Sequence, residues 1–347
     1  MSKYKSLRLN KPKLSFLLEK QSLMIIVILF LVGTAGVVVS TGIGSTFISP
    51  IDVSKSLLGF GQSTHDAIIW KLRLPRIVIA LLVGAALASA GAILQGLIRN
   101  PLASPDIIGI TEGASLGTIL FIFFFNERVS VQWMPLAAII GAFFVTALLY
   151  ILSWKNGSSP LRMVLIGTGL SAAFKSISYM FLISAPFFLA DRSLTFMTGS
   201  IYGVSWERDV YTLLPWLIVL LPIAWFMARH INVQALGEEV AVSAGANLQR
   251  HRLLLILLSV ALAGAAVSIG GAISFIGLMA PHIARRLVGS SFGVLLPVSA
   301  IIGGIILLVA DLMARTLFAP LDIPAGVFTA VIGAPFFLFL LYKHRKS

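Results

Sequence analysis

Few side chains in this sequence could do chemistry inside an apolar environment. Glu112, Lys175, His282 and Asp311 stand within or at the edge of long apolar runs. These types suit charge compensation or ion binding better than catalysis. No paired carboxylates for acid–base work fall inside a run, and no His-x-x-x-His or His–Glu pair has metal-site spacing. Cysteine is absent, so no thiolate ligand, thiol nucleophile or disulfide is available. There is no G-x-x-x-x-G-K-[ST] loop to cradle a nucleotide phosphate, and no Lys follows a Gly. His282, beside Pro281, reads as structural. Glu112 and Asp311 lie near expected helix ends and are too few for a proton relay. Lys175 is different: an ionisable group buried in lipid is costly, and so marks function by default. Any energy for work must come from a partner.

The elements that position these residues are membrane spans. Of 347 residues, 58% are hydrophobic and 11% charged, against roughly 25% charged in soluble domains. Mean hydropathy is +0.98. A soluble enzyme is excluded. The net charge of +13 does not indicate nucleic acid, because the basic residues sit at the chain ends and between apolar runs. Stretches 21–51, 77–98, 129–154, 210–228, 253–284, 287–310 and 323–342 carry no Asp, Glu, Lys or Arg. Runs 108–126 and 163–190 hold one charge each, Glu112 and Lys175. The 253–284 run is about 48 Å long as a helix, too long for one crossing, and Pro281 is the expected break. A short helix over 279–289 would turn the chain back. The basic residues of 1–20 and of 343–347 put both termini in the cytoplasm by the positive-inside rule, so the crossings must be even in number. Ten are expected, in one all-α polytopic membrane domain over 1–347. The first span outruns a signal-peptide core and is read as a retained helix.

An internal repeat supports a transporter. Residues 82–109 and 262–289 align without a gap, with Leu82, Gly84, Ala85, Ala86, Gly91, Ala92, Ile93, Pro101 and Gly109 recurring 180 positions later. In the ten-helix topology the copies enter the membrane from opposite sides, an inverted repeat. Glycines four apart (Gly109, Gly113 and Gly117; Gly199 and Gly203; Gly289 and Gly293) are expected to let helix backbones approach closely.

The partner surface should be cytoplasmic. Segment 229–252 is longer than a connector needs, and Leu236–Gly245 reads as a short helix with Glu238 and Glu239 in its first turn and Gly245 as its C-cap. Leu236, Val240, Ala241 and Ala244 give it an apolar side. A second cytoplasmic loop, RNPLASPD at 99–106, holds two prolines and an Asp.

LRLPRIVIALLVGAALASAGAILQGLIRNPLASPDIIGITEGASLG at 72–117 resembles the signature stretch of the FecCD-type permeases. These are membrane subunits of type II, BtuC-like ABC importers for iron-siderophores, haem and vitamin B12. QALGEEVAVSAG (234–245), GGAISFIGLMAPHIARRLVG (270–289) and DIPAGVFTAVIGAPFFLFLL (322–341) are similar to further family segments. The resemblance implies ten helices, a second permease subunit of the same or a homologous chain, an ATP-binding-cassette ATPase dimer and an extracytoplasmic substrate-binding protein. It places the chain in the cytoplasmic membrane of a bacterium, with no cofactor of its own; ATP and Mg would sit on the ATPase. It implies an ATPase-coupling role for Leu236, Gly237, Glu238, Glu239, Ala241, Ser243, Ala244 and Gly245. Arg73, Arg76 and Arg315 would dock the binding protein. The translocation pathway would run along the fifth helix, about 162–184, with Thr168, Ser171, Lys175 and Ser178, followed by a gate near 190–206. ATP-driven rocking of two permease copies would open the pathway inward.

Lys175 departs from the small or neutral residue expected there. It could line the pathway and favour an anionic ferric chelate, snorkel outward, or pair with an acid on another helix. Ferric-siderophore import is the expected function, with haem or vitamin B12 import as its alternative within the class. An ion-coupled secondary transporter is disfavoured by the few intramembrane acids, and a membrane enzyme by the missing catalytic groups.

Overall fold

The computed structural model describes residues 4–9, 14–44, 46–61, 63–125, 129–130, 133–153, 160–243, 245 and 247–344. A two-stranded antiparallel ribbon, β1 (Tyr4–Leu9) and β2 (Leu14–Glu19), precedes the bundle, with Tyr4 opposite Glu19. Charge alone did not foretell this ribbon. Everything else regular is helical: α1 (Lys20–Gly42), α2 (Pro50–Leu57), α3 (Ser63–Ala67), α4 (Leu74–Ile98), α5 (Ile110–Phe125), α6 (Met134–Ser153), α7 (Pro160–Ser184), α8 (Phe187–Thr198), α9 (Tyr211–Ala235), α10 (Glu238–Ser243), α11 (Leu248–Gly270), α12 (Ile276–Val288), α13 (Phe292–Thr316) and α14 (Ala325–His344). Short π-helical stretches, Ile68–Arg73 and Trp206–Val210, lead into α4 and α9.

Seven of the described helices are long and apolar enough to cross a membrane. The shorter apolar helices α5 and α14 bring the described candidates to nine, and α12, of 13 residues, is a further short helix beside the last turns of α4 rather than a full crossing. Arg73, Arg76 and Arg315 mark one end; α10 marks the other. α1 starts at the α10 end, since its last residues reach Arg73. α14 finishes there, since its first residues follow Asp322, which holds Arg76.

α4 is the axis. α13 packs antiparallel to it: Gly84 faces Gly303, Gly96 faces Phe292, and Arg76 bonds Asp311. A Cβ on Gly84 would stand 2.3 Å from the Gly303 carbonyl oxygen, so only glycine permits this approach. α11 is also antiparallel to α4, with Ser259 Oγ donating to Ala90 O at 3.0 Å and Gly270 against Val83. The repeat copies thus meet in opposite directions. Their gapless register does not survive, however. Gly91 lies inside α4, whereas Gly271, at φ 69°, ends α11.

The long run therefore breaks over 271–275, not at Pro281, which lies inside α12. Proline lacks the N–H that would bind the carbonyl of Gly277, four residues earlier. Gln95 Nε2 of α4 donates to that oxygen instead, at 3.3 Å, so the buried carbonyl is satisfied and the helix continues. Three other expectations also need correction. The segment between spans is 236–247 rather than 229–252, because α9 and α11 extend into it. The 99–109 turn is not a plain surface loop: Ala103 and Ser104 are buried. Gly113 and Gly117 do pack closely on α6 beside Gly141, but Gly109, Gly199, Gly203 and Gly289 have positive φ, and a Cβ added at Gly293 would meet nothing within 4 Å.

Candidate functional site

α7 (Pro160–Ser184) carries the residues expected to line a pathway, and they divide by face. Thr168 and Lys175, seven apart, are exposed on the same side. Ser171 is half-buried and Ser178 fully buried. Ser171 Oγ donates to the Asp106 carbonyl at 3.0 Å, tying α7 to the turn after α4. Asp106 also accepts from the Phe275 N–H through Oδ2 at 3.4 Å. One turn thus links α7 to the break between α11 and α12. Irregular backbone at membrane depth is tolerated where it is buried in protein or lines a watery cavity.

The stretch 190–206, expected as a gate, comprises most of α8 and an irregular return with a turn at Tyr202–Gly203. The end of α8 is seated by three glycines. Ala272 N–H donates to Phe196 O at 3.0 Å and Gly326 N–H to Gly199 O at 2.8 Å. A Cβ on Gly271 would be 2.4 Å from Phe196 O, and one on Gly326 would be 2.1 Å from Thr198 O.

At the α10 end, the expected helix Leu236–Gly245 is shorter, Glu238–Ser243, set between Gly237 at φ 120° and Gly245 at φ 80°. Ala241 is buried and packs the helix down, while Leu236, Val240 and Val242 are more than half exposed. Glu239 is exposed, and Ser243 Oγ donates to its carbonyl at 2.9 Å. Ala244 lies outside the described residues. The Gly237–Gly245 hinges present an apolar face beyond the ends of the long helices, where lipid would not cover it. Sequence reasoning missed its anchor: Arg99, left-handed at φ 54°, donates to the Gln234 carbonyl. An arginine immediately after a helix is the signal that could have suggested it.

The three arginines at the opposite end converge, but on the chain itself. Arg76 Nε donates to Asp311 Oδ1 at 2.7 Å, and its terminal nitrogens fork onto both oxygens of Asp322 at 2.5 and 2.8 Å. Arg315 Nε lies 3.7 Å from Asp311 Oδ2, and Arg315 also donates to Ser40 Oγ at 2.6 Å. Arg73 donates to Thr41 O at 2.6 Å and to Gly42 O at 3.2 Å. Asp311 has no exposure at all. This network joins α1, α4, α13 and the 317–324 turn. Asp322, whose partners are more than 240 residues away in sequence, carried no local signal.

The described residues form a bundle with an uncovered helix bearing Thr168 and Lys175, an α8 segment whose end is seated by glycines, an exposed apolar segment at one end and no group of three metal-binding side chains. That is a membrane transport permease of the ABC importer class. The chain belongs to the FecCD transport family, which it matches over residues 25–343. It is 48% identical over 95% of its length, and 97% of the relative's, to "Probable siderophore transport system permease protein YfhA" of Bacillus subtilis (strain 168). It is 45% identical to the Fe(3+)-citrate import system permease protein YfmE of the same organism, covering 95% of this chain and 98% of that one. A solved ABC transporter assigned to the metal-chelate type, in an inward-facing conformation, superposes with a TM-score of 0.81 at 33% identity, covering 92% of this chain and 99% of that chain.

Proposed function

We propose that this permease carries ferric-siderophore complexes across the cytoplasmic membrane of a bacterium, as one of two permease subunits above an ATPase dimer and below a binding protein. The observation that carries the reading is α7, whose face left uncovered by the rest of the chain sets Thr168 and Lys175 among the small residues Gly169, Ala172 and Ala173. A charged residue exposed at membrane depth requires water or a partner helix rather than lipid. A second permease chain facing it would enclose a pathway, and Lys175 would attract an anionic ferric chelate. The names of the relatives support iron chelates as cargo.

In this reading ATP and Mg are bound by the ATPase, and Leu236, Gly237, Glu238, Glu239, Val240 and Val242 seat in it. Ala241, Ser243 and Gly245 hold that segment in shape. Both termini lie on the ATPase side. The binding protein docks at the arginine end, where Arg76 fixes the 317–324 turn through Asp322 and Arg73 and Arg315 fix the end of α1. Their guanidinium groups are already engaged within the chain, so direct contact falls to the exposed rim around Asp322.

The test is uptake of labelled iron by cells lacking the gene, offered as hydroxamate, catecholate and citrate complexes, with haem and cobalamin as controls. Loss of uptake of one ferric chelate, restored by the intact gene but not by a Gly237→Pro/Glu238→Lys variant of equal abundance, supports both cargo and coupling. Loss confined to haem or cobalamin overturns the cargo assignment.

A further inference from the structure

Glu112 is a half-buried carboxylate that the mechanism above leaves unused. Its position is set by α5 and α7, which run parallel. Ile108 lies against Gly167 and Gly109 against Ser171, and further along Phe123 stacks edge-on to Phe181 at 5.2 Å. Glu112 is three residues beyond Gly109, a rise of about 4.5 Å, and Lys175 is four beyond Ser171, about 6 Å. The two charged residues therefore stand at nearly the same depth on adjacent helices. The charges that act on the Glu112 carboxylate are those of Lys175 and Asp106. The level is polar beyond the pair: Thr111 and Ser178 are buried there, and their hydroxyls have no partner among the described residues.

We infer that Glu112 is the counter-ion of Lys175, a positioning residue that holds the ammonium at mid-membrane and moderates its pull on an anionic cargo; this rests on α7 being the pathway helix. An ammonium alone at that depth is costly, and a carboxylate alone equally so. Side by side, each offsets part of the other's cost. A pathway must bind its cargo strongly enough to admit it and weakly enough to release it. A bare lysine would favour holding an anion, and a lysine shared with Glu112 can exchange one carboxylate for another.

Because the sequence has no cysteine, Ala172→Cys places a single thiol on the exposed face, one turn before Lys175. In membranes containing the assembled importer, its modification rates by an anionic and a cationic methanethiosulfonate report the local charge. The anionic reagent should be favoured. Adding Lys175→Gln should lower the anionic-to-cationic ratio about tenfold, and adding Glu112→Gln should raise it about threefold, as expected for a unit charge about 6 Å away in a wet site. Glu112→Asp should restore the starting ratio. A ratio that responds to residue 175 but not to residue 112 overturns the counter-ion and leaves the pathway standing. A thiol unreactive to both reagents overturns the pathway reading itself. The pair is then judged by a Glu112→Cys/Lys175→Cys chain and a short bifunctional thiosulfonate, where absence of cross-linking overturns it and cross-linking supports it.

Discussion

α4 and α7 are both 25-residue helices starting at or beside a proline, yet they are used in opposite ways. In the most apolar stretch of each, 78% of residues are buried for the run containing α4 and 17% for α7. α4 carries Gly84, Gly91 and Gly96 at contacts where backbones or rings touch, so its neighbours are fixed by steric necessity. On α7, Gly167 packs against Ile108, but a Cβ added at Gly169 would meet nothing within 4 Å. Small residues in a membrane helix thus have two meanings, close packing within the chain and open space for something outside it. Only the surroundings tell them apart.

The strongest attack on this contrast is Gly91→Leu. A Cβ there would stand 1.9 Å from the Gly277 carbonyl oxygen, so overpacking should cost about 3 kcal/mol or more. The expected result is loss of monodisperse permease in detergent, read by fluorescence-detected gel filtration. Gly169→Leu on α7 should leave the profile intact while impairing uptake; equal damage to folding from both would break the comparison. Next in size is Arg76→Ala, which leaves Asp311 buried without its main partner, at a cost of about 3 kcal/mol. Arg76→Lys should rescue little, since a lysine cannot fork onto Asp322. Thermal unfolding in detergent checks both. On the open side, Lys175→Ser should lower the unfolding temperature far less than Arg76→Ala, but should lower uptake of an anionic ferric chelate several-fold. Unchanged uptake would remove Lys175 from the pathway. Smallest is Ser259→Ala, which deletes the hydroxyl bond to Ala90 and should cost about 1 kcal/mol, visible only as a slight fall in unfolding temperature.

Much of this architecture was legible in the residues. Apolar run length placed the spans, because lipid demands continuous helices of sufficient length. The even number of crossings expected from charge is consistent with α1 starting and α14 finishing at the α10 end. The break in the long run was misplaced because proline is usually read as a helix breaker, and here Gln95 supplies the bond that Pro281 cannot. The Gly270–Gly271 pair was the better signal. The site was legible in its residue types but not in its connections. Thr168 and Lys175 share a helix face by arithmetic. That Ser171 would turn inward to Asp106, or that Arg76 would meet Asp311 and Asp322, depends on helices brought together from distant sequence. The repeat illustrates the same limit: similar residues in α4 and α11 diverge after Gly91 and Gly271, because one is enclosed by α12 and the other must make room for α8.

Arg99 has a practical consequence for protein engineering. It ends α4, and its guanidinium holds Gln234, two residues before the exposed segment at the α10 end. That segment is therefore not an interchangeable cassette. A chimera that imports residues 236–245 from a relative to change ATPase preference would inherit a mount shaped for the original sequence. Transplants that carry positions 99 and 234 together with the segment should retain function where the bare segment fails.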